Sequence, residues 1–153
     1  MNNFFFRKPY ALRSWTLVGV QMACLLYIFS TAPVRCIRIE LQIWQLSGLF
    51  LALSGLIQLS WTSFSIFPEP KPKGLFVQSG IYAFIRHPMY AGLLVLCSTL
   101  IIQFFSWQRL FFLLILLVVF VLKILTEEKL LVEKYPEYAD YQRKTNRIIP
   151  FVW

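Results

Sequence analysis

Four long apolar runs constrain the fold of this chain more than any other feature. A helix needs about 20 mostly apolar residues to cross the roughly 30 Å hydrocarbon core of a bilayer. Within that core every backbone N–H and C=O must find a partner in its own structure, which a helix provides. The runs occupy residues 14–32, 41–67, 89–105 and 110–125, and 58% of the chain is hydrophobic. We therefore predict an all-α polytopic integral membrane protein, a single membrane domain over residues 1–153 with about four transmembrane helices.

The distribution of basic residues predicts the orientation of these spans. With four spans and the N-terminus inside, twelve of the 15 lysines and arginines fall in inside segments, and Arg35, Arg38 and Arg109 fall outside. Cytoplasmic loops carry the excess of basic residues in membrane proteins. Both termini are therefore predicted to face the cytoplasm, with residues 67–88 and the helical tail 126–153 as cytoplasmic segments. A cleaved signal peptide over the first run is an alternative, although that run is long for one.

The net charge and the cysteines exclude two kinds of partner. The formal net charge is +8, but the basic residues lie between apolar runs and form no polar stripe, so no nucleic-acid partner is predicted. Cys24, Cys36 and Cys97 form neither a CxxC motif nor a cluster with histidine. No metal site is therefore predicted.

Small residues mark one face of the second run. Gly48, Ala52 and Gly55 recur at helical spacing, and small residues allow two membrane helices to approach closely. We expect another helix to pack there.

The segment before the third run contains the chain's single histidine. Arg86, His87 and Tyr90 lie together at the predicted start of this span, and Pro88 suits the first turn of a helix, where its missing N–H is not needed. The N-terminus of a helix offers unpaired N–H groups and a partial positive charge. This place is therefore suited to an anionic group such as a carboxylate.

Two adjacent carboxylates follow the fourth run at its predicted cytoplasmic end. Glu127 and Glu128 could hold a cation there, and Tyr138 and Tyr141 add aromatic faces of the kind that attract cations.

These two stretches resemble the isoprenylcysteine carboxyl methyltransferase family, and the related phospholipid N-methyltransferases have a similar signature. The first carries G-x-Y-x-x-x-R-H-P-x-Y-x-G over residues 80–92, and the second carries E-E-x-x-L-x-x-x-Y from Glu127 followed by Y-x-x-Y from Tyr138. The resemblance covers residues 74–151. It implies a membrane-embedded methyltransferase that uses S-adenosylmethionine, without a metal, on a lipophilic acceptor that enters from the lipid bilayer. It also implies an active site on the cytoplasmic side.

The resemblance implies site residues at the matching positions. The expected cofactor contacts are Gly74, Leu75, Phe76, Val77, Tyr82, His87, Pro88, Met89, Tyr90, Glu127 and Glu128. Lys123 occupies a position where the family commonly has a substrate-linked arginine, and a lysine cannot grip a carboxylate with the same two-pronged geometry. Arg86, His87 and Glu128 are the candidates for a catalytic role.

Three functions are open at this point. An acceptor with a carboxylate, as in prenylcysteine, needs no general base. A phospholipid amine needs one, for which His87, Glu127 and Glu128 are the nearby candidates. The third possibility is a non-catalytic membrane subunit or small transporter. A transport route usually places ionisable residues at mid-depth in a span, and the clustering of these groups at one end disfavours it.

Overall fold

Helices make up nearly all of the described chain. The computed structural model describes residues 8–32, 38–63, 67–68, 70 and 76–148. The helices are α1 (Lys8–Thr31), α2 (Ile39–Ser63), α3 (Pro88–Gln103), α4 (Trp107–Lys134) and α5 (Tyr138–Lys144), and a 3₁₀ turn, Gly80–Ala83, precedes α3. The prediction of an all-α membrane protein is confirmed for this part of the chain.

Three of the described helices are long and apolar enough to cross a membrane, and the fourth apolar helix is shorter. The candidate spans are Leu12–Thr31, Ile39–Leu59 and Trp107–Lys134. Helix α3 has 16 residues, so at about 1.5 Å per residue it reaches only about 24 Å. Helix α4 has 28 residues and reaches about 42 Å, more than the roughly 30 Å hydrocarbon core. Its charged last turns therefore project beyond the lipid.

The helix ends differ from the ends of the predicted spans. Helix α1 begins at Lys8 instead of residue 14, and α2 ends at Ser63 instead of residue 67. Helix α4 continues from the predicted span 110–125 into the predicted helical tail and ends at Lys134. Apolar composition locates the part of a helix that lies in lipid, whereas the helix itself continues until its backbone is interrupted. Pro136 lies just beyond α4, as expected for a residue that cannot continue a helix.

The small-residue face of α2 packs against α3, which confirms the predicted helix contact. A Cβ added at Gly92 would lie 2.5 Å from the backbone oxygen of Gly48 and from the backbone nitrogen of Ala52. A Cβ added at Gly55 would lie 2.8 Å from the ring of Pro88. The two backbones therefore approach each other as closely as small residues permit.

Helix α1 packs mainly against α4, and the core lies between these two helices and α3. Its fully buried members include Cys24, Ile28, Cys97 and Phe120. The outer face of α2 is different: Trp44, Phe50 and Ile57 are more than half exposed. Large exposed apolar side chains on a spanning helix are suited to contact with lipid.

Arg109 joins three helix ends at the end of the bundle opposite the histidine. Its guanidinium donates to the side-chain oxygen of Thr31 at 3.1 Å and to the carbonyl oxygens of Thr31 and Phe104. The last carbonyls of a helix lack partners within the helix. Arg109 supplies such partners at the ends of α1 and α3.

Candidate active site

The histidine and the two adjacent glutamates meet where α3 begins and the charged end of α4 starts. Pro88 occupies the first turn of α3, and His87 is its N-cap residue. Its Nδ1 lies 3.8 Å from Oε2 of Glu127, and its Nε2 lies 3.5 Å from Oε1 of Glu128. The structure therefore brings the two predicted motifs together around one imidazole ring.

Glu128 is buried, and both of its carboxylate oxygens accept hydrogen bonds from arginines. Arg86 Nε donates to Oε1 at 2.7 Å, and Arg147 Nε donates to Oε2 at 2.9 Å. Glu128 is only 3% exposed. Charge-assisted hydrogen bonds of this length are roughly twice as strong as neutral ones. The two guanidinium groups therefore hold Glu128 as a carboxylate.

Arg86 also holds residues 145–148 beside the start of α3 through hydrogen bonds. Its Nη1 donates to the carbonyl oxygen of Gln142 at 2.9 Å and to that of Thr145. The backbone N–H of Arg86 donates to the carbonyl of Asn146 at 2.8 Å, and that of His87 donates to the carbonyl of Arg147 at 3.0 Å. These contacts give Arg86 a structural role in addition to its place beside Glu128.

The ring of His87 is enclosed by aromatic side chains. It stacks on Tyr90 with ring centroids 5.7 Å apart, and Tyr90 stacks on Phe120 at 4.7 Å. Its Nε2 is buried and forms no hydrogen bond of good geometry among the described residues, although Oε1 of Glu128 lies 3.5 Å away. A buried polar atom without a partner is uncommon and calls for an explanation, such as a catalytic role or a missing ligand.

Glu127 is the more open of the two carboxylates. Its side chain is 30% exposed, against 4% for Glu128. Its described ion-pair partner is His87, whose Nδ1 lies 3.8 Å from Oε2. Glu127 is thus a carboxylate with access to solvent and no guanidinium partner among the described contacts.

Lys123 is almost completely buried, at 1% exposure. Its ammonium donates to Oε1 of Gln21 on α1 at 2.6 Å and lies 5.5 Å from the centre of the Tyr90 ring. Gln21 is itself 8% exposed. This bond brings α1 into contact with the site, which sequence reasoning did not anticipate.

A second group of aromatic side chains lies at the end of α4 and along α5. Phe76 packs on Tyr135, Tyr138 and Tyr141, with ring centroids 5.2 to 5.5 Å apart. The hydroxyl of Tyr141 donates to the carbonyl of Tyr82, whose own hydroxyl donates to the carbonyl of Gly55 at 3.0 Å. Burial raises the pKa of Tyr141 to about 12 and raises the pKa of Tyr82 as well. Both hydroxyls therefore remain neutral donors that connect α5, the 3₁₀ turn and α2.

The other predicted residues are placed as follows. Val77 and Met89 are partly buried, and Pro88 is buried. Gly74, Leu75 and Cys36 lie outside the described residues. No group of three or more histidine, cysteine or acidic side chains suited to a metal ion occurs among the described residues.

Two site residues, Gln21 and Arg147, were missing from the predicted set. A polar residue inside an apolar run is a signal that could have identified Gln21. The spacing of Glu128 and Arg147 in the sequence does not imply a contact. The turn between α4 and α5 brings the two residues together.

Comparison with models of protein families gives a match. The family model described as phospholipid methyltransferase matches residues 22–138, which include α3, α4 and both glutamates. A search of curated proteins found no match. The family includes membrane methyltransferases similar to isoprenylcysteine carboxyl methyltransferase. A match over most of the chain, together with the membrane helices, identifies this protein as an integral membrane methyltransferase of the phospholipid methyltransferase family.

Proposed function

We propose that this protein transfers a methyl group from S-adenosylmethionine to a lipophilic acceptor at the junction of α3 and α4. The observation that carries the proposal is the meeting of a partly exposed carboxylate, Glu127, with the buried imidazole of His87, whose Nε2 forms no described hydrogen bond. The proposed site lies where α4 changes from apolar to charged residues. A polar cofactor and an apolar acceptor could both reach such a boundary.

The residues present fit a cofactor that carries an ammonium group. Glu128 is engaged by Arg86 and Arg147, so Glu127 is the carboxylate we assign to the ammonium. Burial among apolar side chains strengthens such a charge-assisted contact relative to water. The remaining contacts that we propose line the cofactor are Gly74, Leu75, Phe76, Val77, Tyr82, His87, Pro88, Met89, Tyr90 and Glu128.

The cofactor supplies a methyl group already activated by a sulfonium. The work left to the protein is to hold the acceptor in line with that methyl and to exclude water. The aromatic rings of Tyr90 and Phe120 below His87 provide a dry wall for this purpose. No Lewis acid is needed for the transfer itself.

Two acceptor classes have support. The motif resembles enzymes that methylate the carboxylate of a prenylcysteine, for which no base is required. A phospholipid amine is the second candidate, favoured by the description of the matching family and by His87. An amine must lose a proton during transfer, and a neutral imidazole can accept it. We place this chemistry on the cytoplasmic side.

Binding and transfer measurements on the purified protein test the proposal. We expect S-adenosylhomocysteine to bind in calorimetry without added metal, and a chelator to leave its affinity unchanged. Labelled methyl should then pass to phosphatidylethanolamine or to N-acetyl-S-farnesylcysteine, which separates the two acceptor classes. No binding at millimolar S-adenosylhomocysteine would overturn the proposal and favour a non-catalytic subunit or transporter.

A further inference from the structure

A glutamine on α2 caps the 3₁₀ turn that precedes α3. The backbone N–H of Ile81 donates to Oε1 of Gln58 at 2.9 Å. The first N–H groups of a helical turn have no partner within that turn, and the side chain at the N-cap position often supplies one. Ser79 occupies this position, but its side chain forms no capping hydrogen bond in this described segment. The partner comes instead from Gln58, near the end of the candidate span Ile39–Leu59.

The amide of Gln58 lies against the backbone of Gly80. Gly80 has a φ of +60°, a left-handed conformation that residues with a side chain adopt only at a cost. A Cβ added there would lie 2.5 Å from Cδ of Gln58 and 2.7 Å from its Oε1. Position 80 therefore requires glycine for two reasons, and one of them is the space that the amide occupies.

Helix α2 contacts the turn at a second point, one helical turn before Gln58. The hydroxyl of Tyr82 donates to the carbonyl oxygen of Gly55 at 3.0 Å. The carbonyl oxygen of Tyr82 in turn accepts a hydrogen bond from the hydroxyl of Tyr141 on α5. The turn is therefore held between α2 on one side and α5 on the other.

We propose that Gln58 is a positioning residue for the cofactor: its amide fixes the 3₁₀ turn, and with it Phe76, Val77 and Tyr82, in the conformation that binds S-adenosylmethionine. The inference rests on the proposed function and deepens it, because none of the proposed cofactor contacts lies on α2. Ordering a backbone segment during binding costs conformational entropy, so a segment that is already held in place binds its ligand more tightly. Gln58 therefore raises the affinity for the cofactor through the turn and takes no part in the transfer step.

Two substitutions at position 58 separate the hydrogen bond from the packing of the side chain. Gln58→Met keeps the length of the side chain and removes the amide oxygen, whereas Gln58→Glu keeps an oxygen that can accept from Ile81. Calorimetry with S-adenosylhomocysteine measures the affinity of each purified protein. We expect Gln58→Met to weaken binding by about three- to tenfold, as the loss of one hydrogen bond does. Gln58→Glu should stay within about twofold of the parent.

The unfolding temperature distinguishes positioning from a purely structural role. Gln58 is exposed, so ligand-free Gln58→Met should unfold in detergent at the same temperature as the parent. Gln42→Met makes the same replacement at an exposed position at the other end of α2. This control should leave both the unfolding temperature and the affinity unchanged.

A double-mutant cycle tests whether the effect passes through the turn. Gly80→Ala displaces the amide of Gln58 and strains the backbone, so it should weaken the binding of S-adenosylhomocysteine. In a Gln58→Ala background the amide is absent and only the strain remains. The same substitution should therefore weaken binding by a factor about threefold smaller there than in the parent. Equal effects in the two backgrounds would show that the two positions act independently.

Other results would also overturn the inference. If Gln58→Met binds as tightly as the parent, the hydrogen bond does not position the cofactor contacts. If Gln58→Glu binds as weakly as Gln58→Met, the acceptor oxygen is not responsible. A lower unfolding temperature of ligand-free Gln58→Met would assign Gln58 a structural role. A parent that does not bind S-adenosylhomocysteine rejects the proposed function and this inference with it, whereas a parent that binds beside unaffected variants rejects this inference alone.

Discussion

Glu127 and Glu128 are neighbours in sequence but occupy different surroundings. Glu127 has a side chain 30% exposed near His87, whereas Glu128 is buried between two guanidinium groups. The proposed contact with the cofactor ammonium would contribute about 1.5–3 kcal/mol as a charge-assisted hydrogen bond. We expect Glu127→Gln to weaken the binding of S-adenosylhomocysteine by about 10- to 150-fold. Calorimetry measures this change.

The exposed Glu133 provides a control on the same helix. Glu133→Gln should change the affinity by less than about threefold, because an exposed charge contributes little. The thermal unfolding temperature of Glu127→Gln should stay close to that of the parent. Equal affinities in the two variants would show that the cofactor is not held at Glu127.

The opposite result is expected at Glu128. Glu128→Gln removes the charge that Arg86 and Arg147 share, and breaking a buried ion pair from one side costs about 3–5 kcal/mol. We expect a clear fall in the unfolding temperature in detergent. We also expect faster proteolysis near residues 145–148, because Arg147 loses its partner. An unfolding temperature equal to that of the parent would reject this anchoring role.

At the residue scale, the sequence motifs named candidate residues that lie together in the structure, but they did not distinguish the surroundings of each one. The motifs placed His87, Glu127 and Glu128 in one set of candidates. The different surroundings of the two glutamates depend on Arg147, which reaches Glu128 through the turn into α5 and the pairing of residues 145–148 with residues 84–87. Such a contact between distant segments has no local signature.

At the element scale, the close contact between α2 and α3 fixes the position of α3, whose first turn belongs to the proposed site. A Cβ at Gly92 would lie 2.5 Å from backbone atoms of Gly48 and Ala52. A side chain at position 92 could therefore be accommodated only if the main chain of α2 or α3 moved. We expect Gly92→Ala to lower stability by about 1–3 kcal/mol, as overpacking does. It should also weaken the binding of S-adenosylhomocysteine, because the first turn of α3 contains Pro88 and Tyr90, two of the proposed cofactor contacts. Thermal unfolding and calorimetry report the two effects.

Gly19 on α1 is the matched control. A Cβ there meets nothing within 4 Å, and alanine is favoured over glycine inside a helix by up to about 1 kcal/mol. Gly19→Ala should therefore leave stability unchanged or raise it. If both alanine variants unfold at the same temperature, the close approach of α2 and α3 is not required.

Sequence predicted the elements well and their partners less completely. The spacing of Gly48, Ala52 and Gly55 predicted a close helix contact, but it does not identify the helix that packs there. The charged residues up to Lys134 belong to no apolar run, but the prediction of a helical tail after the fourth span already covered them, and α4 continues through them. Helix propensity and the contact with α5 extend the helix where hydropathy ends.

At the scale of the whole molecule, the two ends of the bundle have different chemistry. One end gathers Arg86, His87, Glu127 and Glu128. The other has Arg109 capping carbonyls and the short turn between α3 and α4. The predicted segments on the side of the glutamates carry the excess of basic residues, and the positive-inside rule predicts that this side faces the cytoplasm. This orientation stays a prediction, and it rests on charge counts and not on packing.

Cysteine labelling in intact cells tests the orientation. Cys36 falls in the predicted outer connection, so the parent for this experiment is Cys36→Ser; Cys24 and Cys97 are buried. A cysteine placed at Ser106, in the turn between α3 and α4, should react with a membrane-impermeant maleimide added outside. A cysteine placed at Ser79, which is exposed just before the 3₁₀ turn, should react only after the membrane is permeabilised. The reverse pattern would place the glutamates outside the cell and remove the route by which a cytoplasmic cofactor reaches Glu127.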